Sequence, residues 1–320
     1  MMKLHVVTCV SNPVRYQSRY RLYRDFAKHM QDSGVQLYTA ECAFGARPYE
    51  VTDAANPCHL QLRTRSELWH KENLLNLMIA RLPSDWEYVA WIDADVLFVR
   101  PDWALETVQQ LQHYDIVQLF SEAHDVGPDY HVIGRYRSFA YSYLQGVPRL
   151  KGAGYYGGAP LQREAGITYY HRPGYAWAMR RSAFDAVGGL LDVAVIGEAD
   201  WIMARSLLGE AERVLYPGVS AGYRRAILEW QTRAVRHLRA NLGCVPGTLL
   251  HAWHGPKVKR NYWNRCRVLV ESGFDPELHL KRDWQGVYQL VDRGDAASLL
   301  LRDGLRRYFR SRNEDATQLS

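Results

Sequence analysis

The chain has 320 residues, 47% of them hydrophobic, enough for one large core or two small ones. Lys and Arg number 40 against 34 Asp and Glu, a net charge of +6; so mild an excess suits phosphorylated ligands or a polyanion without demanding nucleic acid. The five cysteines (Cys9, Cys42, Cys58, Cys244, Cys266) are scattered, odd in number and free of any CxxC, which argues against a disulfide frame or a zinc site and for reduced thiols in the cytoplasm.

No run is long enough to span a bilayer. Met1-Met2-Lys3 leads straight into a strand, so no secretion signal is expected. There is no internal repeat or low-complexity block. Ten Trp and 21 Tyr suit stacking on sugars or bases as well as packing.

Residues 4–10 are short, apolar and β-branched and read as a first strand. A turn follows at Ser11-Asn12-Pro13-Val14-Arg15-Tyr16. Helical periodicity runs over 19–30 and ends at Ser33-Gly34. Residues 35–40 form a second expected strand, and the alternation over 59–63 a third. Residues 68–82 carry apolar side chains at helical spacing and stop at Pro83. Asp102 is placed to cap a helix reaching to about His113, and 115–120 make another strand. Alternating strands and helices imply an open, mostly parallel α/β sheet, whose ligands sit beyond the carboxyl ends of the strands.

From 121 to 172 hydrophobic periodicity fades and Gly, Tyr, Arg and His rise. Lys151-Gly152-Ala153-Gly154-Tyr155-Tyr156-Gly157-Gly158 is no firm helix, and the region reads as a lid or binding loop. The sheet resumes at 175–179, and a helix over 181–187 closes at Gly188-Gly189. From about Leu278 the chain is charged and expected to be helical, frayed after Arg310.

The most informative segment is Tyr88-Val89-Ala90-Trp91-Ile92-Asp93-Ala94-Asp95-Val96-Leu97-Phe98-Val99. A run this apolar is a buried strand. An unpaired ionised carboxylate there would cost several kcal/mol. Asp93 and Asp95 are two residues apart, so they share one face of the strand or one side of the turn that ends it. Two oxygen donors so spaced can hold a divalent cation such as Mn²⁺ or Mg²⁺. Strand-end acids pairing with Arg or capping a helix are the plainer account.

His251-Ala252-Trp253-His254-Gly255-Pro256-Lys257 is a second constellation. On a strand the two histidines would face opposite sides; at a strand end they could converge as nitrogen ligands. Two unrelated histidines are the alternative. Lys257, Lys259 and Arg260 add positive charge. The third is Gly197-Glu198-Ala199-Asp200-Trp201, where two carboxylates stand at a helix start, suited either to its dipole or to general-base work.

In order, these pieces resemble the GT-A fold nucleotide-sugar-dependent glycosyltransferases, over roughly residues 4–267. Asp93-Ala94-Asp95 is similar to their DxD motif. The Gly188-Gly189 turn, the Glu198-Ala199-Asp200 segment and the histidine segment are similar to parts of the β-1,4-galactosyltransferase group. There Glu-Asp-Asp stands where this chain has Glu198-Ala199-Asp200.

The resemblance implies a GT-A, Rossmann-like fold with an acceptor-side loop region. It implies one catalytic domain over 1–310, with a nucleotide-sugar half at 1–120, an acceptor half at 121–277, a helical extension at 278–310, and a disordered tail at 311–320. It implies a divalent cation held by Asp93, Asp95, His254 and His251. Asp200 or Glu198 would be the base of an inverting transfer. The donor, a UDP-sugar first, would meet Asp93, Arg15, Arg63, Lys71 and Lys257. Arg65 and the Trp69-His70-Lys71-Glu72 helix with Asn76 lie near that side. The acceptor would be a glycan, a lipid-linked sugar or a hydroxymethylated DNA base. Two other readings are a haloacid-dehalogenase-like phosphatase with Asp93 as nucleophile, and a non-catalytic nucleotide-sugar-binding module.

Overall fold

The structure is a computed structural model and describes residues 3–147, 163–164, 167–262 and 264–318. Its first half is β1 (Leu4–Ser11), α1 (Gln17–Asp32), β2 (Gln36–Phe44), β3 (His59–Thr64), α2 (Lys71–Ile79), β4 (Tyr88–Ile92), β5 (Val96–Phe98), α3 (Trp103–Gln110) and β6 (Ile116–Gln118). Then come β7 (Glu122–Val126), β8 (Val132–Ser138), α4 (Phe139–Leu144), β9 (Arg163–Glu164), β10 (Ile167–Arg172), β11 (Ala176–Arg180) and α5 (Arg181–Val187). The remainder is α6 (Ala199–Ser206), α7 (Ala221–Leu238), β12 (Leu242–Cys244), β13 (Thr248–His251), α8 (Arg267–Glu271), α9 (Pro276–His279), β14 (Leu280–Arg282), β15 (Tyr288–Leu290) and α10 (Ala296–Ser311).

Seven strands form the central sheet in the order β12-β6-β11-β4-β1-β2-β3. Every pairing in it is parallel except the two made by β11. This is the open, mostly parallel α/β sheet expected from the sequence. Both faces are covered, which is why β4 is apolar throughout. Val89 and Trp91 pack on one side with Leu74 and Leu75 of α2 and with Ile202 and Met203 of α6. Tyr88, Ala90 and Ile92 pack on the other with Phe26 and Met30 of α1 and Trp103 of α3.

The acidic run is not one strand. It breaks at Asp93-Ala94-Asp95, and β5 continues in a second, six-stranded sheet of order β5-β13-β7-β8-β10-β9. Two hydrogen bonds hold the break open: Asp93 N–H donates to Tyr175 O at 2.7 Å, and Ala252 N–H to Asp95 O at 2.9 Å.

The 121–172 region differs from the expected loop. Residues 122–126 and 132–138 pair as an antiparallel hairpin, and α4 follows. The Lys151 to Gly158 stretch lies outside the described residues. The strand expected at 175–179 runs antiparallel as β11. The charged C-terminal region is not all helix: β14 and β15 form a hairpin before α10. The tail is not frayed after Arg310 either, because Arg312 and Glu314 are 4% and 1% exposed. Asn76 of α2 exchanges two hydrogen bonds with the backbone of Leu190, at 2.9 Å each, and so anchors the chain after α5. Among the described residues no helix is long and apolar enough to cross a membrane.

Trp103 is wholly buried, stacks on Phe98 at 4.2 Å and donates its indole N–H to Ser33 Oγ at 3.1 Å. Trp103→Ala is expected to lower stability by about 3–5 kcal/mol, read as a shift of the urea unfolding midpoint at constant m.

Candidate metal centre

The strand order changes direction at β1, whose neighbours are β2 on one side and β4 on the other. A cleft opens beyond the carboxyl ends of β1 and β4, as such switch points do. It is lined by Thr8 to Ser11 at the end of β1, by Asp93 and Asp95 after β4, and by Lys71, Asp200, His251 and His254.

Sheet register brings the distant histidines there. β13 lies between β5 and β7, and places His251 opposite Val96 on one side and Asp125 on the other. Beyond His251 the strand ends, so His254 turns back to the same point. His251 Nε2 and His254 Nε2 are 3.2 Å apart, and His254 Nε2 is 3.1 Å from Asp95 Oδ2. Ligand atoms of Asp95, His251 and His254 all lie within 4.8 Å of one another.

The surrounding donors decide the protonation. Asp125 is 1% exposed and receives Tyr175 O–H at 3.0 Å, Arg172 Nη2 at 2.5 Å and Lys257 Nζ. Its Oδ1 lies 2.8 Å from His251 Nδ1. A carboxylate so held can only accept, so His251 keeps its proton on Nδ1 and turns the Nε2 lone pair inward. Arg260 Nη2 is 3.0 Å from His254 Nε2. A guanidinium only donates, and the Asp95 carboxylate on the same nitrogen only accepts, so His254 Nε2 stands between a donor and an acceptor.

Two imidazole Nε2 atoms and a carboxylate oxygen thus face one another, and Asp95 Oδ1 is buried without a hydrogen-bond partner. Mutual repulsion of this kind is relieved by a cation, and the carboxylate behind His251 is the usual outer partner of a metal-bound histidine. Burial, with His254 and the nearby arginines, outweighs the opposing pull of Asp95 and leaves His251 well below its ordinary pKa, so the ring is neutral and ready to ligate. Burial pushes the Asp95 carboxyl up, but His254 beside it outweighs that and holds the group below its ordinary range. The residues fit a divalent cation.

The sequence candidates divide. Asp95, His251 and His254 converge. Asp93 lines the same cleft but is ion-paired with Lys71. Burial depresses the Lys71 ammonium, and the carboxylates of Asp93, Glu72 and Asp200 outweigh it and hold the charge on. Asp200 faces the cleft, against Gly174, where a Cβ would come within 2.3 Å of its Oδ2. Glu198 turns away: its Oε1 accepts Tyr223 O–H at 2.6 Å, and among the described residues it does not line the cleft. Arg15 pairs with Glu50 at 2.9 Å in a separate surface hollow. Arg63 donates to the carbonyls of Gly45 and Arg47 at 2.5 and 2.7 Å, tying a loop instead of facing the cleft. Lys257 acts on Asp125, one layer behind the ligands.

Several residues escaped the sequence reading. Asp125 sits in the region read as a loop, although the alternation Glu122-Ala123-His124-Asp125 places it on the buried face of Ala123. Arg19, Arg172, Arg265 and Arg312 line the cleft from four separate elements, and no spacing links them. Phe309 stacks at 6.2 Å on Trp69, a residue expected on the donor side, and with Trp201 they give the cleft an aromatic wall that the sequence did not show. Glu72 is buried, and desolvation pushes its carboxyl up to about 8 against the pull of Lys71.

No protein-family model matches the chain, and no curated protein matches it. Among solved structures, the catalytic domain of Drosophila β1,4-galactosyltransferase 7 with xylobiose is similar at 12% identity and a TM-score of 0.35, over 77% of this chain and 65% of that one. A variant of that enzyme with manganese, UDP-Gal and xylobiose matches at 13% identity and 0.33, with the same coverage. This chain therefore spans just under two thirds of the galactosyltransferase's length. Glucosyl-3-phosphoglycerate synthase of Mycobacterium tuberculosis, with Mn²⁺, UDP and phosphoglyceric acid, matches at 11% identity and 0.36, over 91% and 87%.

Asp125→Asn keeps size but weakens the hold on His251. It is expected to reduce Mn²⁺ affinity about tenfold or more, by electron paramagnetic resonance of free Mn²⁺ during titration.

Proposed function

We propose that the chain is a metal-dependent glycosyltransferase that moves a sugar from a nucleoside-diphosphate-sugar to an acceptor hydroxyl. One observation carries the reading: Asp95, His251 and His254 gather at the carboxyl end of β4, with a second carboxylate, Asp200, free to meet a substrate in the same cleft. Two imidazoles and one carboxylate favour Mn²⁺ over Mg²⁺, which prefers oxygen and water. When bound, the cation would supply positive charge to a departing diphosphate. Arg260 and Lys71 would add theirs where negative charge develops. A UDP-sugar is the donor we test first, as the galactosyltransferase-like segments imply.

Asp200 would take the proton from the acceptor hydroxyl. Its oxygen then bonds to the anomeric carbon while the carbon–oxygen bond to the diphosphate breaks, and the nucleoside diphosphate leaves with the electron pair. A displacement with one base inverts the anomeric centre. Glu198, engaged with Tyr223, is the weaker choice. Aromatic rings along the cleft favour a sugar acceptor. A DNA acceptor is less favoured, because Arg302, Arg306 and Arg310 of α10 are tied to Asp303 and Glu67 and offer no open track for phosphates. The phosphatase alternative expects its acids on the first strand of the core, whereas here they follow the fourth, beside antiparallel β11. The described cysteines are all unbridged, which suits the cytoplasm.

Two variants test the reading. Asp95→Ala should abolish Mn²⁺-dependent stabilisation by UDP and UDP-sugars in a thermal-shift panel, and with it all transfer; an unaltered panel removes the metal assignment. Asp200→Asn should keep donor binding and lose transfer by about 10²–10⁴-fold. If wild type binds UDP-sugars with Mn²⁺ but never turns them over with any glycan or hydroxymethylated DNA, the chain is a binding module.

Gly174→Ala should behave like the Asp200 variant, since its methyl displaces that carboxylate. Donor affinity is expected to hold while turnover falls.

A further inference from the structure

We infer that the C-terminal tail, residues 312–316, is a wall of the metal centre, and that Glu314 is a positioning residue for His254 and Arg19. The inference rests on the metal-site reading above.

Glu314 lies just past the last helix yet is 1% exposed. Arg19 grips its carboxylate in a fork, one arm at 2.7 Å, and Arg312 Nε reaches it at 2.5 Å. His254 Nδ1, on the far side of the ring from the ligand cluster, is 3.8 Å from Glu314 Oε1. Among the described residues Glu314 is the only carboxylate paired with either arginine. Both arginines line the cleft. A buried carboxylate between two cleft-lining guanidiniums fixes their direction, and its negative charge stands against the His254 ring on the side away from the ligand cluster.

The tail is fastened at points outside the site. Asp315 accepts the N–H groups of Gln17 at 3.0 Å and Ser18 at 2.7 Å. These are the first residues of α1, whose own N-cap, Tyr16, supplies no side-chain bond. The tail therefore caps the helix that follows β1. Trp253 donates its indole N–H to Ala316 O at 2.6 Å. Gly255, at φ +84°, has no room for a Cβ, which would come within 2.5 Å of Asn313 O and 2.8 Å of the Glu314 Cα. The tail thus crosses directly over the residue after His254 and ties that loop to α1, the two sides of the cleft.

The test is Mn²⁺ titration of the full chain by electron paramagnetic resonance, with the melting temperature of the metal-free protein measured alongside. Wild type, Asp95→Ala, Glu314→Gln, Glu314→Asp and Asp315→Ala are compared. Wild type should bind and Asp95→Ala should not. Glu314→Gln should raise the Mn²⁺ dissociation constant about tenfold, and Glu314→Asp should recover part of it. Asp315→Ala, which removes the bonds to Gln17 and Ser18, neither of them lining the cleft, should weaken Mn²⁺ severalfold by freeing the tail. A tail that only braces the fold would lower the melting temperature and leave the dissociation constant of the folded protein unchanged; that result overturns the inference while the metal site stands. If Glu314→Gln does not fold, unchanged affinity in Asp315→Ala overturns it alone. Absence of Mn²⁺ binding by wild type removes the metal site and this inference together.

Discussion

Everything at the cleft depends on where β13 lies. It is a four-residue strand inserted between β5 and β7, and its last residue is His251. Register with β5 sets it beside the turn that carries Asp95, and register with β7 sets it beside Asp125. A slip of one residue would send every side chain of the strand to the opposite face. His251 would then leave both carboxylates, and His254 would follow it. The ladder of backbone hydrogen bonds thus does what no local sequence pattern does: it joins residues 95, 125 and 251 into one row.

That row is embedded in an unusual amount of buried charge. Asp125 and Glu314 are almost inaccessible, and each is held by arginine together with further donors. Burying carboxylates is costly, and breaking one partner of such a pair costs more than the pair contributes to stability. The network is therefore better understood as geometry than as glue. It sets the tautomer of His251, the direction of three guanidiniums (Arg19, Arg172 and Arg312) and the position of the loop after β13. Two elements of the network, Arg19 and Glu314, are separated by nearly the whole chain, so the cleft is closed only when the C-terminus has docked on α1.

Opposite this fixed, cation-attracting side stands Asp200, at the start of α6 and pressed against a glycine. The division has a chemical logic. One side of the cleft is rigid and positively charged, suited to a leaving diphosphate. The other presents a carboxylate between Lys71, Glu72 and aromatic rings, suited to a hydroxyl that must lose a proton. Lys71 connects the two, since its ion pair with Asp93 keeps a positive charge between the acids of the two sides.

Much of this was legible in the chain. The apolar strand 88–92, its twin acids, the histidine pair and the Glu198-Ala199-Asp200 segment are contiguous patterns, and local patterns survive translation into a linear code. The α/β sheet followed from alternation for the same reason. What could not be seen was selection among equivalent residues. Asp93 and Asp95 look alike in sequence, yet Lys71 claims the first and leaves the second to the histidines. Glu198 and Asp200 look alike, yet Tyr223 turns one away and Gly174 makes space for the other. Arg15 and Arg63 looked as good as Arg260, yet they serve loops. The sequence by itself determined the strand, the types of candidate ligand and their order along the chain, because these depend on hydrophobicity and spacing. Only the tertiary structure decided which side chains meet, that Asp125 stands behind His251, and that residues 312–316 are ordered. Those outcomes depend on strand register and on charge pairing between residues far apart in the chain, and neither leaves a periodic trace.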